Sequence, residues 1–271
     1  MLLQVLTIFS LQLLLVAGSL AAPTSELIFG GQREYNTLTV PYQLLVFDGY
    51  SRCGAVLIHP RYALTAARCA KTFENSPSTR VWGGVSDIEN LDPTRFQSRK
   101  VAKWIPHLYF DVTTMHNDIA IIDLEGPFVV MDTVKPIKIS ATDRVSDFPD
   151  PYPFMISGFG NTALETPTPY LHLADVSLVD WKTCRDAWDI LGRDIITGDK
   201  MCTSNRHVGT LEGDSGCPLV HTHPDRAEWR LVGLSALGTA IPGYPDVYTR
   251  VSKHCVWIAD TTNMDVICSL Y

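Results

Sequence analysis

The sequence predicts an all-β chain. The first sign is its rhythm: TVPYQLLVF (39–47), CGAVLIHP (53–60), DIAIIDLE (118–125), PFMISGFG (153–160) and WRLVGLSAL (229–237) are short β-rich runs set apart by Pro, Gly, Asn and Asp. The second is composition, with 18 glycines, 17 prolines and only 19% charged residues among 271. That balance suits tight turns, and the chain is long enough to bury a full core. The third is the scarcity of helical signal. Only about 180–191, opened by Asp180 as N-cap, and Ser252 to Thr262 near the C-terminus read as helices.

The N-terminal end reads differently. Residues 1–22 carry no charge, are rich in Leu and close on small residues, the pattern of a secretory signal peptide cut after Ala21 or Ala22. A stretch of about 20 apolar residues could also span a bilayer, but Gln4, Ser10 and Gln12 interrupt this one. We therefore expect a secreted, extracellular protein, detached from the membrane once the signal is removed. A net charge of −7 and the lack of any Lys/Arg run exclude nucleic acid or an anionic membrane surface as partner. A protein partner is expected instead. Neither composition nor motif implies a cofactor or a metal. Residues 141–153, ATDRVSDFPDPYP, are the best candidate for a crossing between two halves.

The chemistry lies in separated motifs. IFGG (28–31), LTAARC (64–69), NDIAIIDL (117–124) and GDSGCPL (213–219) occur in that order, supported by SGFGNT (157–162) and PDVYTRV (245–251). This set resembles the chymotrypsin/trypsin family of serine proteases over nearly everything after residue 27. The resemblance implies two six-stranded antiparallel β-barrels with a C-terminal helix and a cleft between the barrels. It also divides the chain into a signal peptide (1–22), a short pro-segment (23–27) and a protease-like domain (28–271).

Acyl transfer by a serine needs a nucleophilic hydroxyl, a base of near-neutral pKa, a buried carboxylate that orients the base, and amide N–H groups aimed at the oxyanion. The resemblance assigns Ser215 as nucleophile, Asp118 as orienting carboxylate, and the amides of Gly213 and Ser215 as oxyanion hole. The base position is Arg68. A guanidinium keeps its proton at physiological pH, so it can neither accept one from Ser215 nor hand one to a leaving amine. His59 and His116 are near in sequence but read as ordinary surface or strand histidines. Arginine is intelligible as the neighbour that a buried Asp118 would otherwise lack, and a bidentate Arg68–Asp118 pair is expected to fill the old site.

Other positions also depart from the family pattern. Activation would pair the amine of Ile28 with Asp214, yet Leu27 precedes Ile28 where trypsin-type cleavage needs a basic residue. Cys217 replaces a glycine, Ala236 and Leu237 stand where Ser and Trp line the substrate strand, and Leu211 removes one end of a disulfide. Around the specificity pocket the resemblance places Gly209, Gly238 and Asp246. An acid at 246 with glycine at 209 resembles brachyurin-type collagenolytic proteases, so either the pocket is expected to take a basic or long side chain, or Asp246 is a relic or faces water.

The same resemblance pairs Cys53 with Cys69 and Cys184 with Cys202. Cys217, Cys255 and Cys268 match no family pair, and an odd count in a secreted chain points to a free thiol or an intermolecular bridge. Cys268 is then the thiol expected to be reachable, with a disulfide-linked dimer as a consequence. The reading that results is a secreted, catalytically inactive homologue that binds an extracellular protein or protease-cascade component as regulator, cofactor or decoy. Two rivals stay open: an active endopeptidase using Ser215 with an unorthodox base, and a structural or carrier component linked through an unpaired cysteine.

Overall fold

The computed structural model describes residues 31–142, 154–161, 168–190, 192, 195–204, 208–222, 228–239, 241 and 244–270. The predicted signal peptide, the 23–27 segment, Ile28 and most of the 141–153 crossing lie outside these residues.

Two curled antiparallel sheets form half-barrels. The first contains β2 (Gln43–Phe47), β3 (Arg52–His59), β4 (Tyr62–Thr65), β5 (Arg80–Gly83), β6 (Gln97–Arg99), β7 (Val101–Pro106) and β8 (Ala120–Leu124). Their order is β6-β5-β2-β3-β4-β8-β7, so strands adjacent in sequence are mostly adjacent in space. The second contains β1 (Gln32–Arg33), β9 (Lys138–Ile139), β10 (Phe154–Gly158), β11 (His172–Val176), β12 (Leu178–Val179), β13 (Lys200–Thr203), β14 (Pro218–Thr222), β15 (Trp229–Leu237) and β16 (Asp246–Arg250). The expected double-barrel architecture is present, with seven and nine ladder segments among the described residues instead of six and six. Two-residue pieces such as β1, β9 and β12 account for the excess in the second sheet.

The strands are legible because most are buried on both faces, so their sequences run nearly continuously apolar. Every residue of β4 and β10 is buried, for example. Leu45, Val56 and Ile121 of the first sheet share one apolar cluster with Val220, Leu231 and Leu234 of the second, and the seam between the sheets is therefore core. Fully burying each such side chain is worth about 1.5–3 kcal/mol, which holds the facing loops of both sheets in fixed relation.

Three short helices complete the fold: α1 (Ala67–Phe73), α2 (Trp181–Asp189) and α3 (Cys255–Thr261). Asp180 caps α2 as its sequence predicts, its carboxylate accepting the Thr183 N–H at 3.0 Å. The predicted C-terminal helix begins as a 3-10 turn over Val251–His254 before α3. No helix among the described residues is long and apolar enough to cross a membrane.

All seven cysteines fall among the described residues. Cys53 bonds Cys69 and Cys184 bonds Cys202. A third bond joins Cys255 to Cys268 and ties the C-terminal segment to the first residue of α3. This corrects the expectation of a reachable Cys268, because a 13-residue separation folds the chain back on itself within bonding range. The odd thiol is Cys217, buried just before β14 and packed against Gly54 of the first sheet. Burial, reinforced by the neighbouring Asp214 carboxylate, pushes its thiol well up and leaves it unreactive. Thiol titration should therefore find no reactive cysteine in the native protein and one after denaturation without reductant, and non-reducing electrophoresis should show a monomer. A dimer band lost on reduction would contradict this assignment.

Candidate functional site

Ser215 reaches the first sheet through its main chain. Its carbonyl accepts the Gly54 N–H of β3 at 2.9 Å, and Thr65 at the end of β4 donates its hydroxyl to the Gly54 carbonyl at 2.7 Å. This contact needs glycine at 216, where φ is +81° and a Cβ would fall 2.4 Å from Thr65 Oγ1 and 2.5 Å from Gly54 O. The seam between sheets thus sets Ser215 beside the N-terminal end of α1.

That end of α1 explains Asp118. Ala66 at the N-cap offers no side-chain acceptor, so the helix would leave its first N–H groups without partners. Asp118 supplies one from 50 residues away, its Oδ1 accepting the Arg68 N–H at 3.1 Å. The Arg68 side chain returns to the same carboxylate, Nε lying 3.1 Å from Oδ2. The distance makes an ion pair, but neither Nε nor Nη2 is aimed well enough to count as a hydrogen bond. The pair is therefore an ion pair without the hydrogen-bonded bidentate fork that Arg68 was expected to make. Asp118 is fully buried, whereas the Arg68 side chain is 22% exposed. Burial pushes the Asp118 carboxyl up, opposed by Arg68, by the amides at the start of α1 and by Lys200.

Lys200 and Asp199 belong to this site although the sequence motifs did not include them. Lys200 Nζ is 2.7 Å from Asp199 Oδ2, and both side chains are buried. Asp199 Oδ2 also accepts the Asn117 N–H at 3.0 Å, one residue before Asp118. The carboxylate is held near 2 by Lys200, by the Thr197 hydroxyl and by that amide, all against the cost of burial. The signal was present in GDKM (198–201), where a charged pair opens a strand that is buried throughout. A lysine almost never occupies such a place without a partner.

The histidines near the motifs are committed elsewhere. His116 Nδ1 lies 3.2 Å from both Thr197 Oγ1 and Asp199 Oδ1. His59, at the end of β3, has its Nδ1 toward the Arg61 amide and its ring against Tyr62. No group of three His, Cys, Asp or Glu side chains among the described residues is arranged to hold a metal ion.

The Gly213 and Ser215 amides donate to no group among the described residues, which leaves both available to a ligand oxygen. Gly213 has φ +95°, and a Cβ there would meet the Arg52 stem at 3.2 Å. Asp214 is fully buried and accepts the Gly160 N–H at 2.8 Å and the Leu211 N–H at 3.1 Å. Burial raises its carboxyl to about 6. Its expected partner, Ile28, lies outside the described residues.

The segments expected to wall a specificity pocket touch at Thr210 and Gly238. A Cβ on Gly238 would lie 1.8 Å from the Thr210 carbonyl oxygen, so no side chain fits between the two backbones. Asp246 is buried beneath, with Oδ2 taking the Thr210 N–H at 2.6 Å, and neither faces water nor lines an open slot. The alternative in which Asp246 faces water is thereby corrected. The acid is a strut under one wall. Gly209, beside Thr210, is likewise buried.

Comparison with known proteins agrees with this architecture. The family model for trypsin matches residues 28–258. The chain is 33% identical to trypsin-1 of Astacus astacus over 230 residues, covering 80% of this chain and 93% of that protein. It is 28% identical to a trypsin of Phaedon cochleariae over 94% of this chain and 99% of that one. It is 30% identical to a vitellin-degrading protease of Bombyx mori, with 92% of each chain covered.

Asp246 gives a measurable consequence. Burial raises its carboxyl to about 8, against the usual value near 4. Between those values the folded protein holds a proton that the unfolded chain releases, so stability from this group is complete below about pH 4 and is lost as pH rises toward 8. The slope for one such group is at most about 1.4 kcal/mol per pH unit. Asp246→Asn keeps an acceptor for Thr210 and should flatten the fall in Tm between pH 5 and 8. An identical slope in the variant would remove Asp246 as its source.

Proposed function

Because the chain belongs to the trypsin family of serine proteases, we propose that it is a secreted, non-hydrolytic member that acts by binding an extracellular protein partner. The observation that carries the reading is Arg68 in the base position, its guanidinium set on Asp118. Catalysis by this constellation needs a group that takes the serine proton and returns it. A guanidinium does neither. Removing the histidine alone from the triad of another serine protease costs on the order of a millionfold in turnover, because the three residues act as a unit.

Two further features support it. Thr210 against Gly238 leaves no room for the side chain that would position a scissile bond, and misplacement by about 1 Å can itself cost a hundredfold. Ala236 and Leu237 stand where the resemblance places the serine and tryptophan of the substrate strand. With the slot shut, recognition falls to the loops around the cleft. The trypsins and the vitellin-degrading protease that the chain resembles are named for cutting protein, and the available Gly213 and Ser215 amides favour the rival reading of a working nucleophile with another base.

The two readings separate on one measurement. Purified protein should label with a fluorophosphonate probe at least about ten-thousandfold more slowly than an ordinary trypsin, no faster than its Ser215→Ala variant, and should release no peptides from casein. Labelling at a trypsin-like rate that Ser215→Ala abolishes would overturn the proposal.

A further inference from the structure

The block at Arg68 has a second component. Lys200 and Thr249 are register partners in the β13–β16 ladder, so their side chains project from the same face of the sheet. The Thr249 hydroxyl donates to the Asp118 carbonyl at 3.0 Å, which aims that face at the Asp118 segment. From the other side, Asp199 holds both Lys200 Nζ and the Asn117 N–H. Lys200 and Asp118 are each 0% exposed. Arg68–Asp118 and Lys200–Asp199 therefore stand as two neighbouring ion pairs with little water to screen them, with His116 against Asp199 and His254 and His107 beyond it as the titratable groups that face them.

We infer that Lys200 is a positioning residue that silences this site together with Arg68, its buried ammonium, held by Asp199, facing the Asp118 segment so that a histidine restored at position 68 would be a weak base. The inference rests on the non-hydrolytic reading above and deepens it. In a working triad the carboxylate holds the imidazole and stabilises the imidazolium formed as the serine proton arrives. A buried ammonium near that carboxylate opposes both effects: it neutralises the charge that would steady the imidazolium, and it repels the imidazolium directly. The electrostatics run in this sense, with Lys200 attracted by Asp118 and repelled by Arg68. Restoring catalysis then takes two substitutions.

The test compares Arg68→His, Arg68→His/Lys200→Met and Lys200→Met in the full secreted protein, by fluorophosphonate labelling across pH 5–9 and by NMR titration of the imidazole that the first substitution introduces. We expect Arg68→His to label slowly, and the double variant to label at least about tenfold faster with the imidazole midpoint at least about one pH unit higher. Lys200→Met alone should stay as dark as the native protein. Equal imidazole midpoints with and without Lys200 would overturn the inference whether or not either variant labels. Should methionine leave Asp199 too exposed for folding, Lys200→Gln removes the same charge while keeping a donor, and the midpoint comparison stands. Labelling of the native protein would instead sink the non-hydrolytic reading, an outcome distinct from equal midpoints in the variants.

Discussion

A carboxylate buried at the junction of two sheets is the constraint around which this molecule is arranged. Asp118 is fully enclosed, and an ion so placed costs several kcal/mol unless its charge and lone pairs are met. Oδ1 takes a backbone N–H from the first turn of α1, the Arg68 guanidinium lies against Oδ2 as an ion pair, and the buried Lys200 ammonium adds positive charge from the opposite sheet. The Asp118 segment also ties the sheets together, its main-chain carbonyl accepting the Thr249 hydroxyl of the second sheet at 3.0 Å. Breaking one partner of such a group is far more disruptive than the net worth of the pair, since an uncompensated charge remains. Position 68 is accordingly not free to be any residue.

A buried acid appears a second time, under Thr210, and there too burial raises the carboxyl. Asp246 is as deeply buried as Asp118, and burial outweighs its hydrogen bonds from the Thr210 and Thr239 amides, so its carboxyl titrates near 8. It is therefore largely protonated at neutral pH and still holds the Thr210 amide through Oδ2. One acid lies against the Arg68 guanidinium and an amide of α1, and the other takes backbone donors in a place where its neutral form is favoured. The first occupies the position of a catalytic relay, and the second braces the wall that closes the slot.

How far the sequence carried the reading follows from where information is local. Strands buried on both faces announce themselves as apolar runs, and the Asp180 cap and the motifs at 64–69, 117–124 and 213–219 are short enough to be read directly. The Arg68–Asp118 encounter was legible because both residues sit in recognisable motifs, although its lack of a hydrogen-bonded fork was not. Lys200 escaped notice because its meaning depends on a register pair with Thr249, in a strand far along the chain. Closure of the slot depends on two backbone segments, at 210 and 238, approaching within contact, and nothing in either segment's residue types encodes that distance. The Cys255–Cys268 bond failed for a related reason: a pairing matched to a family pattern overlooks one made by the local path of the chain around α3.

These features bear on what loss of a base means for such a fold. Replacement of one catalytic side chain, left alone, would leave a formed site awaiting reversal. Here the exchange at 68 is accompanied by a buried lysine that completes the charge balance, by an alanine at 236 and by walls in contact at 210 and 238. Arg68 without Lys200 would already neutralise Asp118, and Lys200 with its own partner Asp199 adds a balanced pair, so both can persist at no net charge in the interior. A histidine at 68 would remove the permanent cation in contact with Asp118 and place an imidazole in the field of the buried Lys200 ammonium. The present arrangement is thus self-consistent as a structural centre, and the interactions that in a working triad serve a transition state here hold the ground state of the fold.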